Sequence, residues 1–302
     1  MALHQKKFID LHLHTTCSDG EQSVEEVIDA ALQTGLHAIA LTDHNCFAIH
    51  EPRTVRGMEV IPGCEFSVYY HTKKGVKKEI HIIGLFFDGV NQEMQHFFDG
   101  LDRLAYVRAI IEKLNSLGLD ITLSEVLDAF PDSKQFGRTL ISQVLIQKGF
   151  AKNKTDAFDH WIGNYSPHYL DPTEYMNYAD MDACVKAIIS TGGLPVLAHP
   201  YHYHMEDGEV EDLIRSFRSI SDAPMGMEVY YWKYVKSSPQ LVKTLEKLAV
   251  KYSLLPSAAS DRHKVDFPFM KGKYTLLEDM RKSLSANCLS SKSFLPDSSS
   301  AD

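Results

Sequence analysis

The sequence predicts an α/β protein built on a closed or distorted barrel of about seven strands, with a helical insertion over its mouth. Three observations predict this fold: strand-like and helix-like stretches alternate, metal-ligand residue types follow the strands, and one long central segment is helical. Alternating strands and helices are typical of a parallel sheet with crossover helices. Barrels of this kind carry their active site at the C-terminal ends of the strands.

The first part of the predicted barrel alternates strands with a helix. Residues 24–34 have the periodicity of an amphipathic helix, and Gly35 follows them as a typical C-terminal residue. Residues 7–14, 38–42 and 79–87 have the composition of strands. Residues 59–61 and 65–70 are expected to form one strand, interrupted at Pro62-Gly63.

Helices dominate residues 91–178, which we predict to be an insertion domain over the barrel mouth. Its expected helices cover residues 97–116, 123–130, 138–148 and 154–161. The alternation resumes with a helix at 181–191, strands at 194–198, 227–231 and 255–260, and a helix at 239–252. The barrel domain is therefore expected to be discontinuous, comprising residues 1–90 and 179–284. The serine-rich residues 285–302 are expected to form a disordered tail.

Composition limits the class of protein and its partners. The chain has 302 residues, and its net charge of −9 argues against a surface that follows a phosphate backbone, so nucleic acid is not an expected partner. We expect no signal peptide and no membrane span. Five cysteines without a C-x-x-C motif indicate reduced thiols in a cytoplasmic protein, although Cys17, Cys46 or Cys64 remains open as a thiolate ligand. The oligomeric state is not predicted.

An H-x-H pair, His12 and His14, ends the first predicted strand. Side chains two apart on a strand point to the same face, so the two imidazoles should lie side by side. The next turn carries the carboxylate of Asp19. Imidazole and carboxylate are common ligands of divalent transition metals, so this segment is a candidate metal site.

Further residues of the same types follow other predicted strands or lie within them. Any one of them has an ordinary alternative, since a polar side chain at a strand end commonly caps a helix or bonds to a loop. Nine such residues at predicted barrel-mouth positions favour a metal cluster instead. Besides His12, His14 and Asp19, they are His44, Glu65, His81, His199, Asp261 and His263.

The sequence resembles the polymerase-and-histidinol-phosphatase (PHP) superfamily through six motifs in order: D-L-H-L-H-x3-S-D-G, L-T-D-H-N, G-C-E-F-S, H-I-I-G-L, A-H-P and S-D-R-H. The resemblance covers about residues 8–273 and is closest to stand-alone metal-dependent phosphoesterases, which include nucleoside 3′,5′-bisphosphate phosphatases. It implies a distorted (β/α)7 TIM-like barrel that holds two or three divalent ions. Manganese, iron and zinc all suit these ligands.

The resemblance also implies how the ligands are shared. His12, His14, Glu65 and Asp261 would hold one ion, and Asp19, His44 and His263 a second. Glu65 would bridge to a third ion with His81 and His199. Such ions bind phosphate oxygens, activate a bound water and stabilise the attacking and leaving oxygens, so no protein nucleophile is expected. Asp10 and Asp43 are candidates to orient ligand imidazoles, with loop bonding or helix capping as the alternative.

Two residues are predicted to contact substrate. Gly137-Arg138-Thr139 resembles the segment from which bisphosphate-cleaving relatives offer an arginine to phosphate, whereas Arg138 as an ordinary helix residue is the alternative. His202 is expected to line the pocket or to belong to a surface loop. The chain has Leu140 where some relatives have histidine, and Tyr165-Ser-Pro-His168 where relatives often have Gly-Lys-Pro. These departures concern the second phosphate or the base of a substrate and not the metal chemistry.

Two further patterns are left with two interpretations each. The aromatic run 230–232 either stacks on a nucleobase or packs beneath the insertion. The lysines at 73, 74, 77 and 78 form either a solvated hairpin or a nucleic-acid contact.

The expected function is a metal-dependent phosphoesterase that hydrolyses a phosphate monoester of a small metabolite, plausibly a nucleotide or nucleoside 3′,5′-bisphosphate. The enzymatic alternatives are a nuclease or phosphodiesterase acting on oligonucleotides, and a phosphatase acting on histidinol phosphate. A non-catalytic metal-binding domain is a further alternative, although no expected ligand position is lost.

Overall fold

The structure, a computed structural model, describes residues 7–87, 94, 97–98, 101–129, 137–266 and 272–292, with only the backbone given for 288–292. Its strands are β1 Phe8–Leu13, β2 Leu36–Leu41, β3 Arg53–Val55, β4 Met58–His71, β5 Lys77–Leu85, β6 Ala179–Asp180, β7 Leu194–Leu197, β8 Gly226–Tyr231 and β9 Leu255–Ala259. Its helices are α1 Val24–Gln33, α2 Arg103–Ser116, α3 Leu123–Ala129, α4 Arg138–Gln147, α5 Lys154–Ala157, α6 Met181–Ser190, α7 Asp207–Arg218, α8 Trp232–Ser237, α9 Pro239–Lys251 and α10 Tyr274–Lys292.

Seven strands form a nearly closed barrel in the order β1-β2-β4-β5-β7-β8-β9. The short strands β3 and β6 pair with β4 outside this path. The barrel closes between the first and last strands, because the Asp261 N–H donates to the His12 carbonyl at 3.0 Å and the His14 N–H donates to the Arg262 carbonyl at 2.9 Å. The predicted α/β barrel is therefore confirmed.

The expectation of a wholly parallel barrel is wrong at β5. This strand runs antiparallel to β4, from Gly63 opposite Leu85 to His71 opposite Lys77, and it is also antiparallel to β7. The reason lies in the connection, since a parallel neighbour needs a long crossover. Here the Thr72 N–H donates to the Val76 carbonyl, and Gly75 adopts a positive φ of 77°, so the chain turns back at once.

β4 is one continuous strand of 14 residues, and Pro62-Gly63 does not interrupt it. Its first residues pair with β2 and β3, and from Gly63 onward it pairs with β5. A Cβ on Gly63 would lie 2.7 Å from the Thr42 methyl carbon and 3.0 Å from the Gly84 carbonyl oxygen. Glycine therefore permits the close approach at which β4 changes partner.

The barrel interior is filled by a cluster of small and branched side chains, among them Ile9, Ala40, Ile83, Val196 and Ala258. Buried side chains of α10 join the same cluster, and this helix continues to Lys292. Residues 285–292 belong to this helix, residues 293–302 lie outside the described part, and the disordered tail expected over 285–302 remains a prediction. Leu277, Met280 and Leu284 pack on that cluster and hold the first part of the helix against the barrel.

The central helices have a core of their own, formed by buried side chains between Tyr106 and Tyr178. The boundaries 91 and 178 of an insertion domain remain a prediction. The single helix expected over 97–116 is wrong, because Asp102 accepts from the Ala105 N–H at 2.9 Å and caps a helix that begins at Arg103. The helix expected over 154–161 is split into α5 and a π-helical turn, Phe158–Ile162.

Within the described ranges, every helix is too short or too polar to cross a bilayer.

Candidate metal centre

His12 and His14 lie side by side at the end of β1, as the H-x-H spacing predicts. Both side chains are fully buried, and their Nε2 atoms are 3.1 Å apart. Asp261, which follows β9, brings Oδ1 to 3.1 Å from His14 Nε2 and 3.7 Å from His12 Nε2. Two imidazole nitrogens and a carboxylate oxygen therefore converge on one small volume.

Glu65 is the centre of the cluster. It projects from β4, is fully buried, and has carboxylate oxygens close to five imidazoles. The nitrogen-to-oxygen distances are 3.3 Å for His12, 3.4 Å for His14, 2.8 Å for His44, 2.8 Å for His81 and 3.0 Å for His199. Burial alone would raise the pKa of Glu65, but nearby His44, His81 and His12 outweigh it and hold that pKa well below its ordinary value.

A second group of side chains surrounds Asp19 in the loop after β1. His263 Nε2 is 3.0 Å from Asp19 Oδ2, whereas His14 Nδ1 and His44 Nε2 are 3.8 and 4.0 Å from Oδ1. Burial, together with repulsion from His263 and His44, lowers the pKa of His14. His14 is thus favoured in the neutral form that binds metals.

His81 lies at the other side of Glu65, on the antiparallel strand β5. Burial opposes its positive charge, but Glu65 and Glu79 outweigh burial and raise the pKa of His81 to about 10. Without a bound cation, the imidazole therefore carries a proton that balances the buried carboxylate.

The nine predicted side chains are brought together, and they fit divalent ions. Four overlapping groups place one nitrogen or oxygen from each member within 4.8 Å of the others. No cysteine belongs to these groups in the described part of the chain. Glu65 Oε2 lies 2.8 to 3.4 Å from nitrogens of His44, His12 and His14 without a hydrogen bond of good geometry, and buried His199 Nδ1 lacks a hydrogen-bond partner among the described residues, as expected of atoms arranged for another partner. The groups are His14, Asp19, His44, His263; His12, Glu65, His199; His12, His14, Asp261; and His44, Glu65, His81.

Among the described residues, neither Asp10 nor Asp43 hydrogen-bonds to a ligand imidazole, so loop bonding is the better interpretation of both. Asp10 accepts from the Ser260 N–H at 3.0 Å and from its hydroxyl, and burial raises the pKa of Asp10 to about 6. Asp43 accepts from the N–H groups of Thr15 at 2.8 Å and Ser18 at 3.0 Å. It thereby secures the loop that carries Asp19.

Glu228 is a residue of the centre that the sequence did not predict. Its carboxylate is 1% exposed and lies 2.8 Å from His12 Nδ1. In the sequence, Glu228 stands out as a single carboxylate within the apolar strand β8. It lies before the end of that strand, whereas the predicted ligands lie mostly at strand ends.

A cavity of about 1180 Å³ lies over the cluster. Asp19, His44, His81 and His199 line it together with both predicted substrate contacts, Arg138 and His202. Burial, followed by repulsion from His199 and Lys233, lowers the pKa of His202 to about 4.

Arg138 begins α4 and donates to Asn164 Oδ1, with the Phe158 and Tyr169 rings 5.8 and 5.6 Å from its guanidinium carbon. Arg103, the first residue of α2, also lines the cavity and was not predicted. Its Nη2 is buried without a hydrogen-bond partner among the described residues.

The aromatic run 230–232 at the end of β8 packs instead of lining the cavity, since none of its three residues is among those that line it. Tyr231 is fully buried and donates to Asp261 Oδ2 at 2.8 Å, and Tyr230 donates to Glu246 at 2.9 Å. The Arg262 guanidinium lies 5.1 Å from the Trp232 ring centre.

The predicted lysine hairpin is divided in two. Lys73 and Lys74 form ion pairs with Asp212 and Glu209 of α7 at 2.8 and 2.7 Å. Lys77 and Lys78 line the cavity. The solvated-hairpin interpretation thus fits the first pair of lysines only.

Comparisons with known proteins identify what the chain is similar to. A family model described as the PHP domain matches residues 10–229. A 5′-3′ exoribonuclease of Haemophilus influenzae is 28% identical over 85% of this chain and 90% of its own. A 3′,5′-nucleoside bisphosphate phosphatase of Chromobacterium violaceum is 27% identical over 84% of this chain and 87% of its own.

Solved structures share the fold. An amidohydrolase of Chromobacterium violaceum, with bound sulfate and no metal, has a TM-score of 0.71 at 23% identity, covering 91% of this chain and 96% of that one. A candidate metal-dependent phosphoesterase of Bifidobacterium adolescentis has a TM-score of 0.70 at 21% identity, covering 92% and 96%.

Proposed function

Because the chain belongs to the PHP domain family and is a metal-dependent phosphoesterase, we propose that its substrate is a small phosphate monoester, a nucleotide or a nucleoside 3′,5′-bisphosphate. The observation that carries this proposal is the arrangement of one cavity of about 1180 Å³. Its lining contains ligand-type side chains together with the guanidinium-bearing Arg138 and Arg103.

The proposed ligand sets are those that the family resemblance implies. His12, His14, Glu65 and Asp261 hold one divalent ion, Asp19, His44 and His263 hold a second, and His81 and His199 share Glu65 at a third. The convergence of these atoms supports the assignment, and so does Glu65 Oε2, which lies close to three imidazoles without a hydrogen bond of good geometry to any of them. Manganese, iron or zinc would supply the charge that neutralises the phosphate and activates the attacking water.

The protein's own residues position the ester. Arg138 offers a planar guanidinium suited to two phosphate oxygens, and Arg103 places a second guanidinium-bearing residue in the cavity lining. His202 lies in the lining beyond His199 and contacts the phosphate or the leaving group. Recognition of phosphate thus comes from cationic and imidazole donors outside the metal cluster.

The proposal is tested by phosphate release from purified protein with added manganese. A nucleoside 3′,5′-bisphosphate is compared with a labelled single strand of RNA. The two substrates are supplied at the same molar concentration of reactive ends. We expect faster hydrolysis of the bisphosphate, because the net charge of −9 gives no long-range attraction to a polyanion. Faster stepwise degradation of the strand would contradict this.

The second candidate is a 5′-3′ exoribonuclease, and one observation favours it. The cavity volume of about 1180 Å³ exceeds the upper end of the roughly 300–1,000 Å³ range common for small-molecule sites. Lys77 and Lys78 lie in its lining, where they can meet further phosphates of a strand. The labelled strand in the experiment above measures this activity directly.

A further inference from the structure

Glu228 joins two residues from different parts of the barrel through one buried carboxylate. The His12 Nδ1–H donates to Oε1 at 2.8 Å, and the His199 backbone N–H donates to Oε2 at 2.8 Å. The side chain is 1% exposed, so its carboxylate is withdrawn from solvent. A carboxylate is stable in such surroundings only when its oxygens are bonded, so these contacts define its role.

The bond to His12 decides which ring nitrogen faces the metal cluster. A carboxylate accepts, so Nδ1 carries the proton, and Nε2 of the neutral ring is left with its lone pair. Nε2 is the atom that lies 3.1 Å from His14 Nε2 and 3.3 Å from Glu65 Oε2. Glu228 therefore turns the ligating atom of His12 towards the cluster.

The bond to His199 holds an unusual backbone. His199 has a φ of 23° and a ψ of 61°, a left-handed conformation that non-glycine residues adopt at a cost. With its N–H fixed by Glu228, the imidazole reaches back to place Nε2 3.0 Å from Glu65 Oε1. Glu228 thus acts on the two histidines that meet opposite oxygens of Glu65.

We propose that Glu228 is a positioning residue that fixes His12 and His199 jointly and thereby sets the affinity of the centre for divalent ions. The inference rests on the metal centre proposed above. A direct ligand role does not fit, because the oxygens of Glu228 contact the His12 nitrogen that faces away from Glu65 and the His199 backbone N–H, and Glu228 is absent from the ligand groups found among the described residues.

The test is the variant Glu228→Gln, a neutral side chain of the same shape with one acceptor oxygen. One of the two donors, His12 Nδ1–H or the His199 N–H, must then face an amide NH₂. The measurement is the Mn²⁺ dissociation constant, obtained by competition with a fluorescent chelator. We expect a roughly 10- to 100-fold weaker affinity, the usual effect of removing a partner of a ligating histidine.

Tyr234→Phe is the matched control. Tyr234 is buried, and its hydroxyl accepts from the Tyr201 N–H at 2.9 Å in the loop that follows His199. Loss of the Tyr234 hydroxyl removes a hydrogen bond from the same loop and leaves every proposed metal ligand unchanged. We expect a lower melting temperature of the metal-free protein with the wild-type Mn²⁺ affinity.

Unchanged Mn²⁺ affinity in Glu228→Gln overturns the inference, and so does equal weakening in both variants, which indicates loop destabilisation alone. Should Glu228→Gln fail to fold, Glu228→Asp takes its place. Its shorter carboxylate cannot reach both donors, so wild-type affinity there overturns the inference equally. A wild-type protein that binds no Mn²⁺ contradicts the metal centre itself, which separates the two failures.

Discussion

At the scale of single residues, Glu65 holds the centre together because it is one carboxylate shared by many imidazoles. A fully buried anion is costly unless it is paired, and Glu65 is paired from two sides by His44 and His81, each at 2.8 Å. Two oxygens on one rigid strand fix the spacing of the nitrogens around them. The position therefore tolerates neither loss of charge nor loss of length.

We predict that Glu65→Gln loses bound metal and phosphatase turnover together, because the amide offers one neutral oxygen where the centre uses two charged ones. Metal content by elemental analysis and phosphate release measure the two effects. Glu59→Gln is the control, since Glu59 lies on the same strand but pairs with Arg281. Full metal content with near-normal turnover in Glu65→Gln would rule out the bridging role.

Arg138→Ala should lower kcat/KM by roughly 10- to 100-fold, equivalent to ~1.4–2.8 kcal/mol, while metal content stays unchanged. The reason is that Arg138 lines the cavity, whereas the ligand groups are made up of histidine and carboxylate side chains. Arg108→Ala, an exposed position on α2, is the control. If Arg138→Ala keeps the wild-type kcat/KM on the preferred substrate, Arg138 is an ordinary helix residue.

At the scale of elements, the long strand β4 connects the barrel to the centre. Its first part pairs with β2, and its second part pairs with β5 and carries Glu65. The change of partner occurs at Gly63, where neighbouring atoms leave no room for a side chain. The position of Glu65 therefore depends on the close packing around Gly63, two residues earlier in β4.

Gly63→Val should lower the free energy of unfolding by about 1–3 kcal/mol, because the added atoms overlap with Thr42 and Leu85. Urea unfolding measures the change. Gly208→Ala in α7 is the matched control, since nothing lies within 4 Å of the added Cβ, and alanine favours a helix by up to about 1 kcal/mol. A Gly63→Val protein as stable as wild type would show that β4 has room to shift.

The barrel and the nine ligand-type residues could be predicted because periodicity, strand ends and ordered motifs are local properties of a sequence. The direction of β5 depends on a short turn, Thr72 to Val76, whose length was available but was outweighed by the general alternation of strands and helices. Glu228 could not be assigned, because its partners His12 and His199 are distant in sequence and meet only after the barrel closes. Long-range pairing of this kind has no local signature.

At the scale of the whole molecule, the centre links β1, β4, β5 and the segments after β2, β7 and β9, so bound ions should stabilise the entire barrel. Removal of metal by a chelator should lower the melting temperature, and added Mn²⁺ should restore it. A ligand that binds only the folded state at 100 times its dissociation constant contributes about 2.7 kcal/mol. Identical melting with and without chelator would contradict a folded-state metal centre.

The separate core of the central helices has a consequence for how such an enzyme diversifies. Arg138 stands on a helix whose Leu140 and Ile141 pack into that core, whereas the proposed ligands come from the barrel. A mutation in the barrel core therefore affects bond cleavage, whereas a mutation in the core of the central helices affects which ester is bound. During evolution, substitutions in the central helices can thus change the substrate while the barrel keeps the same reaction.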